Sequence, residues 1–311
     1  MTEIPLRQET IVDESEIDSL GHMNVRFYLS RVDDAFGLLL KEAGVASAPG
    51  QKLRRFDTYS RFLREQFAGS RLETRGGLVP SESGNTVKGY FEIRNQDRDD
   101  LAASFIVRTG LIDEESQTPI SLGQWHHNLD YMVDVPDYAK PRSLSMTIPR
   151  SIALEDLEEV IGDEPTPGMM SGRRENIVLA EDCDEHGQMR EDLELMFLMH
   201  RPMPGEPEQN FGPPQLLDEL GRLYSWAMME TRQVIFWKPQ YNDQIISLSA
   251  DVAYGEKWRQ SRRWMFVKDS GVLLGVHDSV GVCMDLAARR AIKIPADVLR
   301  SIKRNYLPQF A

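Results

Sequence analysis

Residues 7–23, RQETIVDESEIDSLGHM, return as residues 173–189, RRENIVLAEDCDEHGQM. Seven of the seventeen positions are identical at a constant spacing of 166: Arg7/Arg173, Glu9/Glu175, Ile11/Ile177, Val12/Val178, Asp18/Asp184, Gly21/Gly187 and Met23/Met189. The likeness resumes with the spacing stretched to 174, where FLREQF (62–67) faces FWKPQY (236–241) and KGYFEIR (88–94) faces RRWMFVK (262–268). Two copies at this period point to a duplicated domain, because solenoid units run to roughly 20–50 residues. The chain can then be compared with itself. A polar residue kept in one half and lost in the other carries information.

The 311 residues suffice for two domains, each with its own core. Hydrophobic residues make up 41% and charged residues 27%, the range of globular proteins. No run reaches the roughly 18 apolar residues of a membrane span, and MTEIPLRQET does not read as a secretory signal. Cys183 and Cys283 offer neither a disulfide framework nor a close Cys/His metal cluster. These features point to the cytoplasm and to chemistry without a metal or redox cofactor. A formal charge of −13 argues against nucleic-acid binding. A polyphosphate ligand would need a local basic patch, for which Arg259, Arg262 and Arg263, or Arg289, Arg290 and Lys293, are candidates.

In the first copy, Ile11 and Val12 mark a strand over 7–15 that ends near Asp18. Gly21 permits a turn and Asn24 can cap a helix starting at Val25. From Val25 to Ala43 the residues Tyr28, Val32, Phe36, Leu39, Leu40 and Ala43 form one helical stripe, and Gly44 stops it. Strands are predicted at about 55–67, 70–80, 86–95 and 101–112, giving one helix laid across an antiparallel meander. In the second copy strands are predicted at about 172–181, 232–241, 244–254, 260–268 and 272–285. An amphipathic helix is expected at 214–231, through Leu216, Leu217, Leu220, Leu223, Tyr224, Ala227 and Met228. Proline-rich residues 136–171, with an acidic helix in SIALEDLEEVIG, read as a linker between domains at 1–135 and 172–311.

Glu16-Ile-Asp18-Ser-Leu-Gly21-His22-Met-Asn24, followed by Phe27-Tyr28-Leu29, resembles the active-site segment of hotdog-fold thioesterases. Ala288–Pro295 is similar to that family's usual exit from its last strand. With the duplication, the chain resembles double-hotdog proteins, the acyl carrier protein thioesterases among them. The resemblance implies an α+β class: tandem hotdog folds, each an antiparallel sheet wrapped around a long central helix, packed as a pseudo-dimer. It also implies an acyl-CoA or acyl carrier protein substrate and no membrane partner. Such pseudo-dimers can pair further into homodimers.

Thioester hydrolysis needs a base to activate water, or a carboxylate that attacks the carbonyl itself. It also needs donors for the oxyanion, which a helix N-terminus can supply. Asp18 precedes such a terminus and is the candidate base or nucleophile, with His22 beside it and Asn24 as a substrate-binding residue. Glu65 falls, by resemblance, on a proposed catalytic glutamate of the acyl carrier protein thioesterases. Where those enzymes place an asparagine two residues after the aspartate, this chain has Leu20. The second copy keeps Asp184 but carries Gln188, Arg190 and, at the spacing of 174, Pro239 in place of His22, Asn24 and Glu65. One working site, centred on Asp18, is therefore expected.

Other candidates are weaker. His186, the adjacent His126 and His127, and His277-Asp278 read as structural, and Cys183 between two aspartates is a poor nucleophile. No serine-hydrolase elbow, phosphate-binding loop or dinucleotide fingerprint occurs. Two alternatives stay open: a hotdog-fold hydratase or dehydratase, and a non-catalytic acyl-ligand-binding protein.

Overall fold

The computed structural model describes residues 4–45, 47–80, 85–121, 129–161, 172–190, 193, 195–201 and 215–311. The chain divides into two compact units, Met1–Arg142 and Ser143–Ala311, the division falling inside the stretch expected as linker.

In the first unit β1 (Leu6–Ile11) leads through a short 3-10 turn into α1 (Val25–Glu42). There follow β2 (Gln51–Phe62), β3 (Arg71–Val79), β4 (Thr86–Asn95), β5 (Asp100–Asp113) and a two-residue β6 (Pro119–Ile120) on β5. The order across the sheet is β1-β3-β4-β5-β2, antiparallel throughout. Asn24 caps α1, its Oδ1 accepting the Arg26 N–H at 3.1 Å. Gly44, at φ +77°, ends it, and the Val45 N–H returns to the Leu40 carbonyl. The predicted stripe of Tyr28, Val32, Phe36, Leu39 and Leu40 packs on Leu72, Leu78, Val87, Phe91 and Phe105. Phe36 meets Phe91 edge to face at 5.3 Å. A side chain at Gly76 would start 2.2 Å from the Phe91 ring, so only glycine lets that ring lie against β3.

The second unit carries α2 (Leu154–Glu158), β7 (Gly172–Ile177), α3 (Leu195–His200), β8 (Leu216–Leu217), β9 (Leu223–Ile235) and β10 (Gln244–Tyr254). It closes with β11 (Trp258–Val267), β12 (Leu273–Asp285), β13 (Arg290–Ala291) and α4 (Ala296–Arg304). The order β7-β10-β11-β12-β9 repeats that of the first sheet. Leu154, Leu157 and Ile161 pack into the core of this unit, beside Ile246, Leu248, Trp264 and Phe266.

The helix expected at 214–231 is not there. Leu216 and Leu217 pair with Tyr224 and Leu223 as a hairpin, and β9 runs on to Ile235. The counterpart of α1 is marked instead by α3. Arg31 of α1 donates to both Glu16 oxygens and to the Ile11 carbonyl; Arg201, just past α3, donates to both Asp182 oxygens and to the Ile177 carbonyl. The same kind of ion pair thus fastens each helix to the end of the first strand of its unit.

The spacings between the copies also need correction. Leu63 and Arg64 both donate to the Ala102 carbonyl, while Phe236 and Trp237 both donate to that of Leu274. The spacing in this region is therefore 173. Across β4 and β11 it is 172, not 174, since the register irregularity at Ile93/Arg94 is matched by the one at Met265/Phe266. The bulge is common to both copies, and the drop from 173 to 172 falls between β3 and β4, where Gly76 faces Phe91 and its counterpart Ser249 faces Arg263.

Candidate active site

The segment after β1 folds back on itself through a tight turn. The Asp18 N–H donates to the His22 carbonyl and the Gly21 N–H to the Asp18 carbonyl, both at 2.9 Å. Gly21 sits at φ +80°, a conformation that disfavours any residue with a Cβ. The Asp18 carboxylate closes the turn from inside, Oδ1 accepting the Leu20 N–H at 2.9 Å. It also accepts the His22 N–H and the Asn24 side-chain amide. Asn24 thus links Asp18 to the N-terminus of α1.

This turn faces the loop after β2. Glu65 was expected inside a strand, but β2 ends at Phe62 and Glu65 lies beyond it. The Met23 N–H donates to the Gln66 carbonyl at 2.7 Å, which brings the two segments together. His22 then stands between two carboxylates: its Nδ1 lies 3.6 Å from Asp18 Oδ2 and its Nε2 lies 3.6 Å from Glu65 Oε1. Both separations exceed hydrogen-bond length, so the three groups share a site without being locked together. The Asp18 side chain is 3% exposed and that of Glu65 33%. Burial raises the Asp18 carboxyl above the ordinary carboxylate range, against the lowering influence of His22 and the three hydrogen bonds.

All four residues singled out in the first copy therefore converge. Sequence reading passed over Gln66, which is fully buried. Its Oε1 accepts from Asn95 at 2.7 Å and from Arg98 at 3.2 Å, its amide donates to the Arg64 carbonyl, and Arg98 also holds the Glu65 carbonyl. These bonds fix the loop that presents Glu65. The only hint in the sequence was the FLREQF segment itself. Arg31 and its bidentate grip on Glu16 were missed too.

The second unit repeats the turn with other chemistry. Asp184 accepts the His186 and Gln188 N–H groups at 3.0 Å, Gly187 has φ +75°, and Met189 N–H donates to the Pro239 carbonyl. Pro239 is thus the counterpart of Gln66, and the residue facing Glu65 across the duplication is Lys238. Its Nζ donates to the carbonyls of Arg190 at 3.0 Å and Leu193 at 3.3 Å. His186 is an exposed residue whose side chain lies 3.6 Å from Glu185. Cys183 is raised by burial and by Asp182 and Asp184. Trp125, His126 and His127 lie outside the described residues. Among the described residues no three His, Cys, Asp or Glu side chains could hold a metal ion, and no helix is long and apolar enough to cross a membrane.

Residues 12–149 match the family described as the thioesterase-like superfamily. No curated protein matches. Among solved structures the chain is similar to the 12:0-ACP thioesterase from Umbellularia californica, with a TM-score of 0.64 and 8% identity over 89% of this chain and 93% of that one. It is similar as well to an acyl-ACP thioesterase from Bacteroides thetaiotaomicron, with a TM-score of 0.60 and 9% identity over 88% and 96%. At such identities the structural likeness establishes the fold, which is the α+β hotdog fold. The stretch that matches the thioesterase-like superfamily, residues 12–149, is the one that contains Asp18, His22, Asn24 and Glu65.

Proposed function

We propose that the chain hydrolyses an acyl thioester, carried on coenzyme A or on an acyl carrier protein, at a site of the first unit centred on Asp18. The observation that carries this reading is the placement of His22, 3.6 Å from Asp18 on one side and 3.6 Å from Glu65 on the other. Asp18 is buried and engaged by three donors, which suits it to orient the imidazole through Nδ1. Glu65 is the more accessible carboxylate and acts as the general base. A water between Glu65 and His22 Nε2 loses its proton to Glu65 as its oxygen bonds to the thioester carbon. The carbonyl oxygen takes the negative charge. When the carbon–sulfur bond breaks, the thiolate leaves and is protonated from Glu65. The Val25 N–H, at the N-terminus of α1, makes no hydrogen bond among the described residues and would serve as an oxyanion donor.

The proposal extends to a tandem pairing of the two hotdog units, supported by the likeness to an acyl carrier protein thioesterase over 89% of this chain. It also extends to the cytoplasm as the site of action, supported by two unbridged cysteines. The test is thiol release from thioesters of short, branched, aromatic and long acyl groups, on coenzyme A and on acyl carrier protein. Turnover above the uncatalysed rate for at least one of them is expected. Absence of turnover across the whole panel would overturn the reading.

A further inference from the structure

Glu65 lies in the segment between the end of β2 at Phe62 and the start of β3 at Arg71. Main-chain bonds pin the two ends of that segment, Leu63 and Arg64 to the Ala102 carbonyl and Gly69 to that of Val12. Its middle is held by Gln66, which works in two directions. The Gln66 carbonyl accepts the Met23 N–H at 2.7 Å, one residue past His22. The Gln66 side chain accepts from Asn95 Nδ2 at 2.7 Å and from Arg98 Nη2 at 3.2 Å, and donates to the Arg64 carbonyl at 3.1 Å. Asn95 Oδ1 in turn accepts the Arg98 N–H at 2.9 Å, and Arg98 Nη2 donates to the Glu65 carbonyl at 3.2 Å. The turn between β4 and β5, the Glu65 segment and the residue after His22 are thus joined through one amide. Gln66 and Asn95 are buried, so water would not readily replace a partner lost from this network.

A duty to the fold alone would be needed in both copies, because both fold the same way here. The Met189 N–H donates to the Pro239 carbonyl at 3.0 Å, as the Met23 N–H does to that of Gln66. Leu72 faces Asn95 across β3 and β4, and Ile245 faces Val267 across β10 and β11. Asn95 pairs with Asp100 and the Val267 N–H donates to the Val272 carbonyl, so the two turns have equal length and Ser270 stands in place of Arg98. The second copy therefore carries proline, valine and serine where the first carries glutamine, asparagine and arginine. Proline and valine side chains have no hydrogen-bonding group, yet the turn and its main-chain bond persist. The three polar residues are replaced together in the unit where Lys238 stands in place of Glu65. The network accompanies the carboxylate, not the fold.

We infer that Gln66, Asn95 and Arg98 are positioning residues for hydrolysis: they hold Glu65 against His22 and touch no reacting atom themselves. The inference rests on the reading of Glu65 as the general base. At 3.6 Å from His22 Nε2 the Glu65 carboxylate is not locked to the imidazole, so its aim is set by the backbone that carries it. A displacement of about 1 Å at a reacting group can cost about a hundredfold in rate.

The test is a double-variant cycle. kcat and KM are measured for the wild-type chain, Gln66→Met, Glu65→Gln and the two combined, on a thioester that the wild-type chain hydrolyses. Gln66→Met keeps the length of the side chain and the main-chain carbonyl and removes the amide. It should lower kcat by about tenfold or more and leave KM within about twofold. In the Glu65→Gln background the same substitution should change kcat by less than about twofold, since no base remains to be positioned. Equal losses in the two backgrounds would mean that Gln66 supports the unit as a whole, and wild-type kcat in Gln66→Met would mean that it supports nothing in the reaction. Either result overturns the inference and leaves the reading of the base standing. Full activity of Glu65→Gln, or turnover of no thioester by the wild-type chain, would overturn that reading and this inference with it. If Gln66→Met does not fold, Arg98→Met takes its place, at a side chain 40% exposed. A severalfold loss of kcat is then expected, confined to the chain that retains Glu65, and equal effects in the two backgrounds would overturn the inference.

Discussion

Lys238 holds in the second unit the place that Glu65 holds in the first. Both follow two residues that share one carbonyl, Ala102 or Leu274, and both precede the residue whose carbonyl accepts the N–H of Met23 or Met189. The duplication has preserved the backbone and reversed the charge. In the first unit that position carries a carboxylate beside an imidazole. In the second it carries an ammonium spent on two main-chain carbonyls.

The two positions should therefore respond differently to substitution. Glu65→Gln removes the proposed base from a side chain that is one-third exposed. Turnover should fall by about a hundredfold or more, with little change in melting temperature. Lys238→Met leaves two carbonyls short of a donor in a buried setting and should cost about 1–3 kcal/mol on urea unfolding, with thioester hydrolysis retained.

Asp18 offers a prediction in pH. Its carboxyl is raised by burial above its unfolded value of 3.8, so ionising it costs the folded protein stability. That cost is absent below the unfolded pKa, grows as pH rises through the interval up to the folded pKa, and is complete above it. Asp18→Asn removes it. The melting temperature of the variant relative to wild type should consequently rise between about pH 4 and pH 7. A difference that stays flat across this range would mean that Asp18 is not raised.

The helix-fastening pairs differ in burial. The Arg31 side chain is 8% exposed and that of Arg201 22%. Arg31→Met strands Glu16 in a poorly solvated place and should destabilise by about 3 kcal/mol. Arg201→Met should cost about 1 kcal/mol. Urea unfolding monitored by circular dichroism decides.

Much of this architecture could be read from the residues. The α1 stripe, its Asn24 cap and its Gly44 stop agree at every level, and most strand segments show their alternation. The failure at 214–231 has a physical cause. Leu216, Leu220, Leu223 and Ala227 fit a helical period, but Asp218-Glu-Leu-Gly221-Arg222 is a turn. Asp218 accepts the Leu220 and Arg222 N–H groups, and Gly221 has φ +72°. The same Asp-x-x-Gly turn occurs at Asp18 and Asp184, so the motif alone announces a turn and not a reaction. What distinguishes Asp18 is its company. His22 lies within the motif and was legible, whereas the approach of Glu65 depends on the bulge at Leu63 and Arg64 and on buried Gln66. No local pattern encodes that approach. The correspondence of Glu65 with Lys238 stayed hidden because the segments joining matched strands differ in length, so that the spacing is 173 at Glu65 and not the 174 of an ungapped comparison.

The central claim is that hydrolysis belongs to the first unit. The most direct measurement compares kcat/KM of Asp18→Asn and Asp184→Asn on one thioester that the wild-type chain hydrolyses. Both aspartates close the same turn, so the two substitutions place the same demand on the fold and differ only in the side chains around them. Asp18→Asn should lose about a hundredfold or more, and Asp184→Asn should stay within about threefold of wild type. Equal losses in the two variants, or a greater loss in Asp184→Asn, would contradict the account.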